Sequence, residues 1–136
     1  MEQQLQKLQG DPALATGAEF KIEVHHPVLY PVKRNPSLEA IVKNNMTALG
    51  ITVDEDDGRR GSSDMGNLSH YLPATHPYLA IVEPEIPGHS TEFRDATISS
   101  RGRQILLNAA KMLAMTAYDF LTRPELREQV ASDFNK

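Results

Sequence analysis

The chain of 136 residues contains no cysteine. This absence excludes a disulfide framework and any zinc site built on thiolates, so potential metal ligands are limited to histidine, aspartate and glutamate. The sequence also lacks an apolar run of the roughly 18 residues that a membrane-spanning helix needs, and its polar N-terminus has no signal-peptide core. We therefore expect no membrane partner and a cytoplasmic location.

Long basic clusters are missing as well. Runs of Lys and Arg are no longer than the pairs Lys33-Arg34 and Arg59-Arg60, and the formal charge is -4 at pH 7. Because nucleic acids bind basic surfaces, this composition argues against a nucleic-acid partner. The hydrophobic share of 40% and the charged share of 24% are typical of a globular domain with a sizeable core.

Hydrophobic periodicity predicts two strands. Residues 19–24 alternate polar with apolar side chains, which is the pattern of a half-exposed strand. The apolar run of residues 78–82 has the length and β-branched content of a buried strand. Together with the helices predicted below, these strands indicate an α/β fold.

Capping signals predict a helix over residues 36–49. Asn35 has the character of an N-cap, and Pro36 suits the first helical turn because its missing N–H is not needed there. Apolar residues then recur at helical spacing up to Gly50, which is typical of a helix C-terminus.

The C-terminal part of the chain predicts two further helices. One is a long helix over residues 99–121, and a shorter one follows from Arg123, where Thr122 and Glu125 have the spacing of a capping box. We expect the long helix to pack on the sheet through one apolar stripe, with Met112 and Met115 near its edge. The stripe consists of Ile98, Ile105, Leu106, Ala109, Ala110, Leu113, Ala117, Phe120 and Leu121.

Most of the chemistry lies in residues 61–92. A turn of small residues leads to the carboxylate of Asp64, and the segment 87–90 follows the second predicted strand. In open α/β sheets, functional side chains gather where loops leave the carboxyl ends of strands. We expect Gly88 to permit a sharp turn that aims the imidazole of His89 inward, so His89 is the first candidate residue.

Each of the other candidate residues has a structural interpretation beside its functional one. His70 and His76 flank Pro73 in a segment expected to cover the site, and each is either a ligand or a hydrogen-bonded loop histidine. His25 and His26 precede a proline, as residues of a connector do. The pair Asp56-Asp57 lies in a charged run beside a glycine, where exposed carboxylates are the rule.

Four motifs in fixed order resemble a known family. They are GSSDMGNLSHYLP, HPYLAI, PGHSTEF and a long Ala-rich helix that ends in DFLTRPELREQVASDF. From about Ala13 to its end, the chain resembles the C-terminal part of the metal-dependent amidohydrolases and peptidases related to aminoacylase and carboxypeptidase G. The most similar branch is that of the p-aminobenzoyl-glutamate hydrolase B subunit.

The resemblance implies the C-terminal half of a two-domain, zinc-peptidase-like enzyme. In this family an α/β catalytic domain is split by an inserted α+β lid that commonly mediates dimerisation. Residues 1–26 are then the end of the lid domain, including its last strand. Residues 27–136 are the C-terminal half of the catalytic domain.

The resemblance also implies a reaction and a site. The family hydrolyses amide bonds of N-acyl amino acids, small peptides or substrates like p-aminobenzoyl-glutamate, using two divalent ions, zinc or manganese, and a glutamate general base. His89 matches the last metal ligand of the family. Asp64 matches an acidic residue that supports the metal ligands or faces the substrate, and Ser63 and Asn67 are expected to orient it or to contact substrate.

The rest of the family's catalytic apparatus has no counterpart in the sequence, which contains no His-x-Asp, His-x-His or Glu-Glu. We therefore expect a truncated or split-gene half with no catalytic residue of its own, inactive unless an upstream half is supplied. Two alternatives remain open. One is a non-catalytic binding or assembly module that self-associates, and the other is a regulatory or transport protein on a similar sheet.

Overall fold

The computed structural model describes residues 16–17, 28–54 and 63–136 of the chain. Five helices lie within residues 28–54 and 63–136 and are numbered here in chain order. They are α1 (Pro36–Ala48), α2 (Asp64–Leu68), α3 (Thr91–Thr97), α4 (Ser100–Thr122) and α5 (Pro124–Phe134). In the described part of the chain, no helix is both long enough and apolar enough to cross a bilayer.

Helix α1 begins where the sequence predicts it. The side-chain oxygen of Asn35 accepts a hydrogen bond from the Leu38 amide at 3.0 Å, and Pro36 occupies the first turn. Asn35 is almost fully buried, and its amide nitrogen donates to the Val130 carbonyl of α5 at 2.8 Å. One side chain thus caps α1 and ties it to α5. Gly50, with φ of +72°, follows the helix end in the left-handed region that glycine favours.

The core lies between α1, α4 and α5, because these three helices pack on one another. Among the helices described, α3 packs on α4 alone. Val42 and Met46 of α1 meet Met112 of α4, and Met112 is only 1% exposed. A second layer of partly buried apolar side chains covers this cluster. It consists of Leu49, Ile51, Val53 and Leu79.

The prediction that the apolar stripe of the long helix forms one buried face is wrong. Ile105, Ala109 and Phe120 are half-buried, whereas Leu113 is 58% exposed. Met112, predicted at the edge, is one of the two buried residues of α4 and is only 1% exposed. The cause is that α4 is apolar around most of its circumference, so periodicity alone does not select which face meets the core.

The second predicted strand is also wrong. Residues 78–82 form no strand, and no strand occurs elsewhere in 28–54 or 63–136. Tyr78 is 69% exposed, while the neighbouring Leu79 packs against the core cluster. A run of apolar residues becomes a strand only when another strand takes up its backbone hydrogen bonds, and the described residues offer none.

Two fold predictions, the first strand and the domain boundary, concern residues that the structure does not describe. The strand of residues 19–24 and the boundary between residues 26 and 27 lie outside the described residues. The part of the fold that can be described is therefore helical, and the α/β class predicted from the sequence is not confirmed by it.

The junction of α4 and α5 confirms two helices but not the predicted capping box. Arg123 caps both helices, and the Thr122 hydroxyl donates to the Tyr118 carbonyl within α4 rather than to the start of α5. The free carbonyls at the end of α4 are taken up from α5 instead, since the Arg127 guanidinium donates to the carbonyls of Phe120 and Leu121. Arg127 does not adjoin these carbonyls in sequence, so the capping comes from the fold.

Candidate functional site

Helix α2 and its N-cap residue hold three of the predicted site residues, and the helix is fastened to residues 28–33. The side-chain oxygen of Asn67 accepts from the Tyr30 amide at 2.9 Å, and its nitrogen donates to the Val28 carbonyl at 2.8 Å. The Ser69 hydroxyl accepts from the Lys33 amide at 2.8 Å and donates to the Gly66 carbonyl at 2.6 Å. These side chains replace the backbone partners that a neighbouring strand would otherwise supply.

Gly66 allows this close approach. A Cβ atom at this position would lie 1.8 Å from the Tyr30 carbonyl oxygen, a separation that no side chain tolerates. We call the arrangement of α2 on residues 28–33, with Gly66 at its contact point, the α2 clamp. The sequence patterns considered above do not predict the α2 clamp. The signal for it is a glycine inside a helix with small polar residues one and three positions later.

The α2 clamp gives structural roles to two of the candidate residues. Asn67, predicted to face substrate or to support Asp64, uses both ends of its amide on backbone groups. A ring nitrogen of His70 lies 3.0 Å from the Pro31 carbonyl, and the ring packs edge-on against Tyr30. His70 is thus a hydrogen-bonded loop histidine, which is one of the two roles the sequence left open.

Ser63 and Asp64 form the start of α2. Ser63 is the N-cap by position, but its hydroxyl makes no capping hydrogen bond. Asp64 is the first helical residue and is exposed, so its carboxylate lies at the positive end of the short helix. Of the four predicted site residues, the α2 clamp uses the side chain of Asn67 but not those of Ser63, Asp64 and His89.

His89 lies in a tight turn immediately before α3. It has a φ of +62°, whereas Gly88 is not in the left-handed region, so the expectation that the glycine makes the turn is wrong. The imidazole is exposed. A non-glycine residue in this region costs about 1 kcal/mol, although histidine tolerates it better than most residues do.

The residues after His89 build the N-terminus of α3. The Ser90 hydroxyl accepts from the Phe93 amide at 3.1 Å and so caps the helix. The pKa of Glu92 is lowered because its carboxylate accepts hydrogen bonds from its own backbone amide and from the Thr91 hydroxyl, the latter at 3.0 Å. An ionised carboxylate therefore lies three residues from His89.

The described residues do not by themselves make a metal centre. No group of three or more His, Asp or Glu side chains with the geometry to hold an ion occurs among them. Helix α2, which carries Asp64, packs against none of the other four helices described, and no hydrogen bond joins Asp64 to His89 in these ranges. Because a stable site needs several converging ligands, this set does not fit a dinuclear metal group.

A groove of about 720 Å³ opens between α1, α4 and α5, away from the predicted site. Its polar part is organised by Asp119, which accepts from the Asn45 side chain at 3.0 Å and lies 3.3 Å from the Arg123 guanidinium. The rest of the wall is largely apolar. It includes Ile41, Ala48, Ala114, Met115, Tyr118 and Leu126.

Comparison with known proteins gives two relatives of clear similarity. The chain is 36% identical over 126 residues to human Xaa-Arg dipeptidase and 35% identical over 126 residues to the mouse protein of the same name. Each match covers 90% of this chain but only 29% of the relative. No protein-family model matches the chain. The two matches support a peptidase or amidohydrolase relationship and do not distinguish a branch.

Proposed function

We propose that the chain contributes the C-terminal part of a metal-dependent peptidase that hydrolyses dipeptides or N-acyl amino acids. The observation that carries this proposal is the similarity of nearly the whole chain to one segment of two proteins named Xaa-Arg dipeptidase. A dipeptide that ends in arginine is therefore the first substrate to test, with p-aminobenzoyl-glutamate as the second. A cytoplasmic location is part of the same proposal.

In this proposal His89 supplies one metal ligand, and Asp64 with Ser63 lies near the metal or the substrate. The exposed imidazole of His89 supports this, since it is accessible to groups from another polypeptide segment. A single imidazole does not hold two divalent ions, zinc or manganese. The chain alone is accordingly expected to be inactive, and the missing ligands come from an upstream half.

A graft tests the proposal directly. The chain replaces the matched segment in human Xaa-Arg dipeptidase, and hydrolysis of an Xaa-Arg dipeptide is measured together with metal content. We expect the graft to be active and His89→Ala to reduce activity and metal content by well over ~10-fold, because even supporting residues around a metal contribute about that much. Lys111→Ala is the control, since Lys111 is also exposed but lies on α4, outside the segment that holds the candidate residues.

The outcomes separate the proposal from its alternative. A folded graft that retains equal metal content and equal activity after His89→Ala contradicts the assignment of His89. A folded graft with no hydrolysis of either substrate contradicts the proposed function. The second candidate function is an assembly module without catalysis, and the exposed apolar surface of α4 favours it.

A further inference from the structure

Helix α2 is held by hydrogen bonds rather than by apolar packing. It packs against none of the other four helices described, and Gly66 is the one helical residue of α2 that is buried. Within the described ranges, every hydrogen bond from residues 63–70 to another segment goes to residues 28–33. A helix of five residues is also too short to persist without partners. Release of α2 therefore breaks a few hydrogen bonds and exposes little apolar surface, as in segments that open locally.

Residues 28–35, which we call the strap, connect α2 to the C-terminal end of α5. Lys33 makes both connections. Its backbone amide donates to the Ser69 hydroxyl at 2.8 Å. Its ammonium group donates to the carbonyl of Phe134, the last residue of α5, and lies 4.5 Å from the centroid of the Phe134 ring. The anchorage of the strap on α5 thus positions one of the donors on which α2 docks.

Two features of α5 favour a cation at residue 33. The Phe134 carbonyl lies at the helix C-terminus, which is the negative end of the helix dipole, and the aromatic ring attracts the ammonium group. Two residues later, Asn35 donates to the Val130 carbonyl at 2.8 Å. The strap therefore stays attached to the core through Asn35 when α2 leaves, whereas the position of residues 28–33 depends on Lys33.

We propose that α2 is a flap that docks on the strap and leaves it while α1, α4 and α5 stay packed. Lys33 couples this motion to the C-terminal end of α5. Docking positions Asp64, the first residue of α2, whereas His89 lies in the turn before α3, which packs on α4. The distance between Asp64 and His89 therefore changes when the flap opens. This consequence for the candidate site rests on the proposed function, but the motion itself does not.

Lys33 influences docking through the freedom of the strap. When its ammonium group is bound to Phe134, the Lys33 amide is held where the Ser69 hydroxyl accepts its hydrogen bond. Without the bond to Phe134 the strap gains conformational freedom, which docking of α2 must remove again at a cost in entropy. Loss of this contact should accordingly make the docked state rarer without unpacking the core.

Amide hydrogen exchange of the full chain tests the flap. The Ser69 amide, which donates to the Met65 carbonyl at 3.0 Å, reports opening of α2. The Met112 amide in α4 reports unfolding of the core, because Met112 is 1% exposed. After correction for intrinsic rates, we expect the Ser69 and Lys33 amides to exchange at least about 10-fold faster than the Met112 amide.

Two variants separate opening of α2 from unfolding of the core. Lys33→Met keeps an unbranched apolar side chain but removes the ammonium group. It should accelerate Ser69 exchange about 10-fold, which is the effect of losing a hydrogen bond to a charged group. Val42→Ala weakens the core, which is packed in both states of the flap. It should accelerate Met112 exchange at least about 10-fold and leave Ser69 exchange unchanged.

Lys136→Met is the matched control for Lys33→Met. Lys136 lies at the same end of α5 but bonds the Asp133 carboxylate instead of the strap, so Ser69 exchange should stay unaltered. Ser69 exchange that follows Met112 exchange in Val42→Ala would overturn the flap. Ser69 exchange indifferent to Lys33→Met, or equally fast in Lys136→Met, would overturn the role of Lys33. No measurement uses peptidase activity, so failure of the flap and failure of the proposed function are distinguishable.

Discussion

Replacing Gly66 by alanine should destabilise the chain by separating α2 from residues 28–33. The added Cβ would lie 1.8 Å from the Tyr30 carbonyl oxygen and 2.9 Å from its carbonyl carbon. Both atoms belong to the backbone, so no side-chain rotation relieves the contact. Relief requires a backbone shift of roughly 1.5 Å to reach an ordinary van der Waals distance.

The hydrogen bonds of the α2 clamp set the magnitude of the effect. The two bonds of Asn67 are 2.9 and 2.8 Å long, and the Ser69 bond to the Lys33 amide is 2.8 Å. A shift of this size breaks two or three of them, at about 1 kcal/mol each. Alanine recovers up to about 1 kcal/mol through its higher helix propensity. The net loss is therefore about 2 kcal/mol.

Urea unfolding followed by the helical circular dichroism signal measures this change. We expect the midpoint to fall by about 1 M, given the slopes usual for small domains. Gly88→Ala is the control, because a Cβ at Gly88 meets nothing within 4 Å, and it should be neutral or slightly stabilising. Combining Gly66→Ala with Asn67→Ala should cost less than the sum of the two single changes. An unchanged or raised midpoint for Gly66→Ala would refute the close approach.

Three further changes test other parts of the structure. Asn35→Ala removes a helix cap and the buried bond to α5, so it should lower the free energy of unfolding by about 2 kcal/mol. Asn35→Asp keeps the oxygen that caps α1 but loses the N–H that donates to Val130. If this variant is as stable as the unchanged chain, the bond to α5 contributes nothing. Hydrogen bonds from Lys136 and from the hydroxyl and amide of Ser37 lower the pKa of Asp133 to about 2. The stabilising effect of this carboxylate should be full above its unfolded pKa of ~4 and should disappear as the pH falls through about 2. Asp133→Asn should flatten the acid limb of a stability profile, and an unchanged limb would argue against this role. His89→Gly should be more stable than His89→Ala by about 0.5–1 kcal/mol in thermal unfolding, because only glycine relieves the positive φ; equal melting temperatures would contradict the turn geometry.

The sequence alone determined the boundaries of three of the five helices described, α1, α4 and α5. Asn35 with Pro36 predicts the start of α1, and the start predicted at Arg123 lies one residue before α5, since capping and proline geometry act over only a few residues. The same local logic predicts the long helix α4 to within one residue at each end. The motifs also indicate a peptidase or amidohydrolase relationship, which the two dipeptidase matches support.

Only the tertiary structure decided which surfaces are used. Met112 is buried and Leu113 is exposed although both are apolar neighbours on α4, because the position of α1 selects one face. Asn67 hydrogen-bonds the backbone of residues 28–30, because the fold brings this distant segment beside α2. Local signals report what a segment can form, whereas burial and hydrogen-bond partners depend on segments far away in the chain.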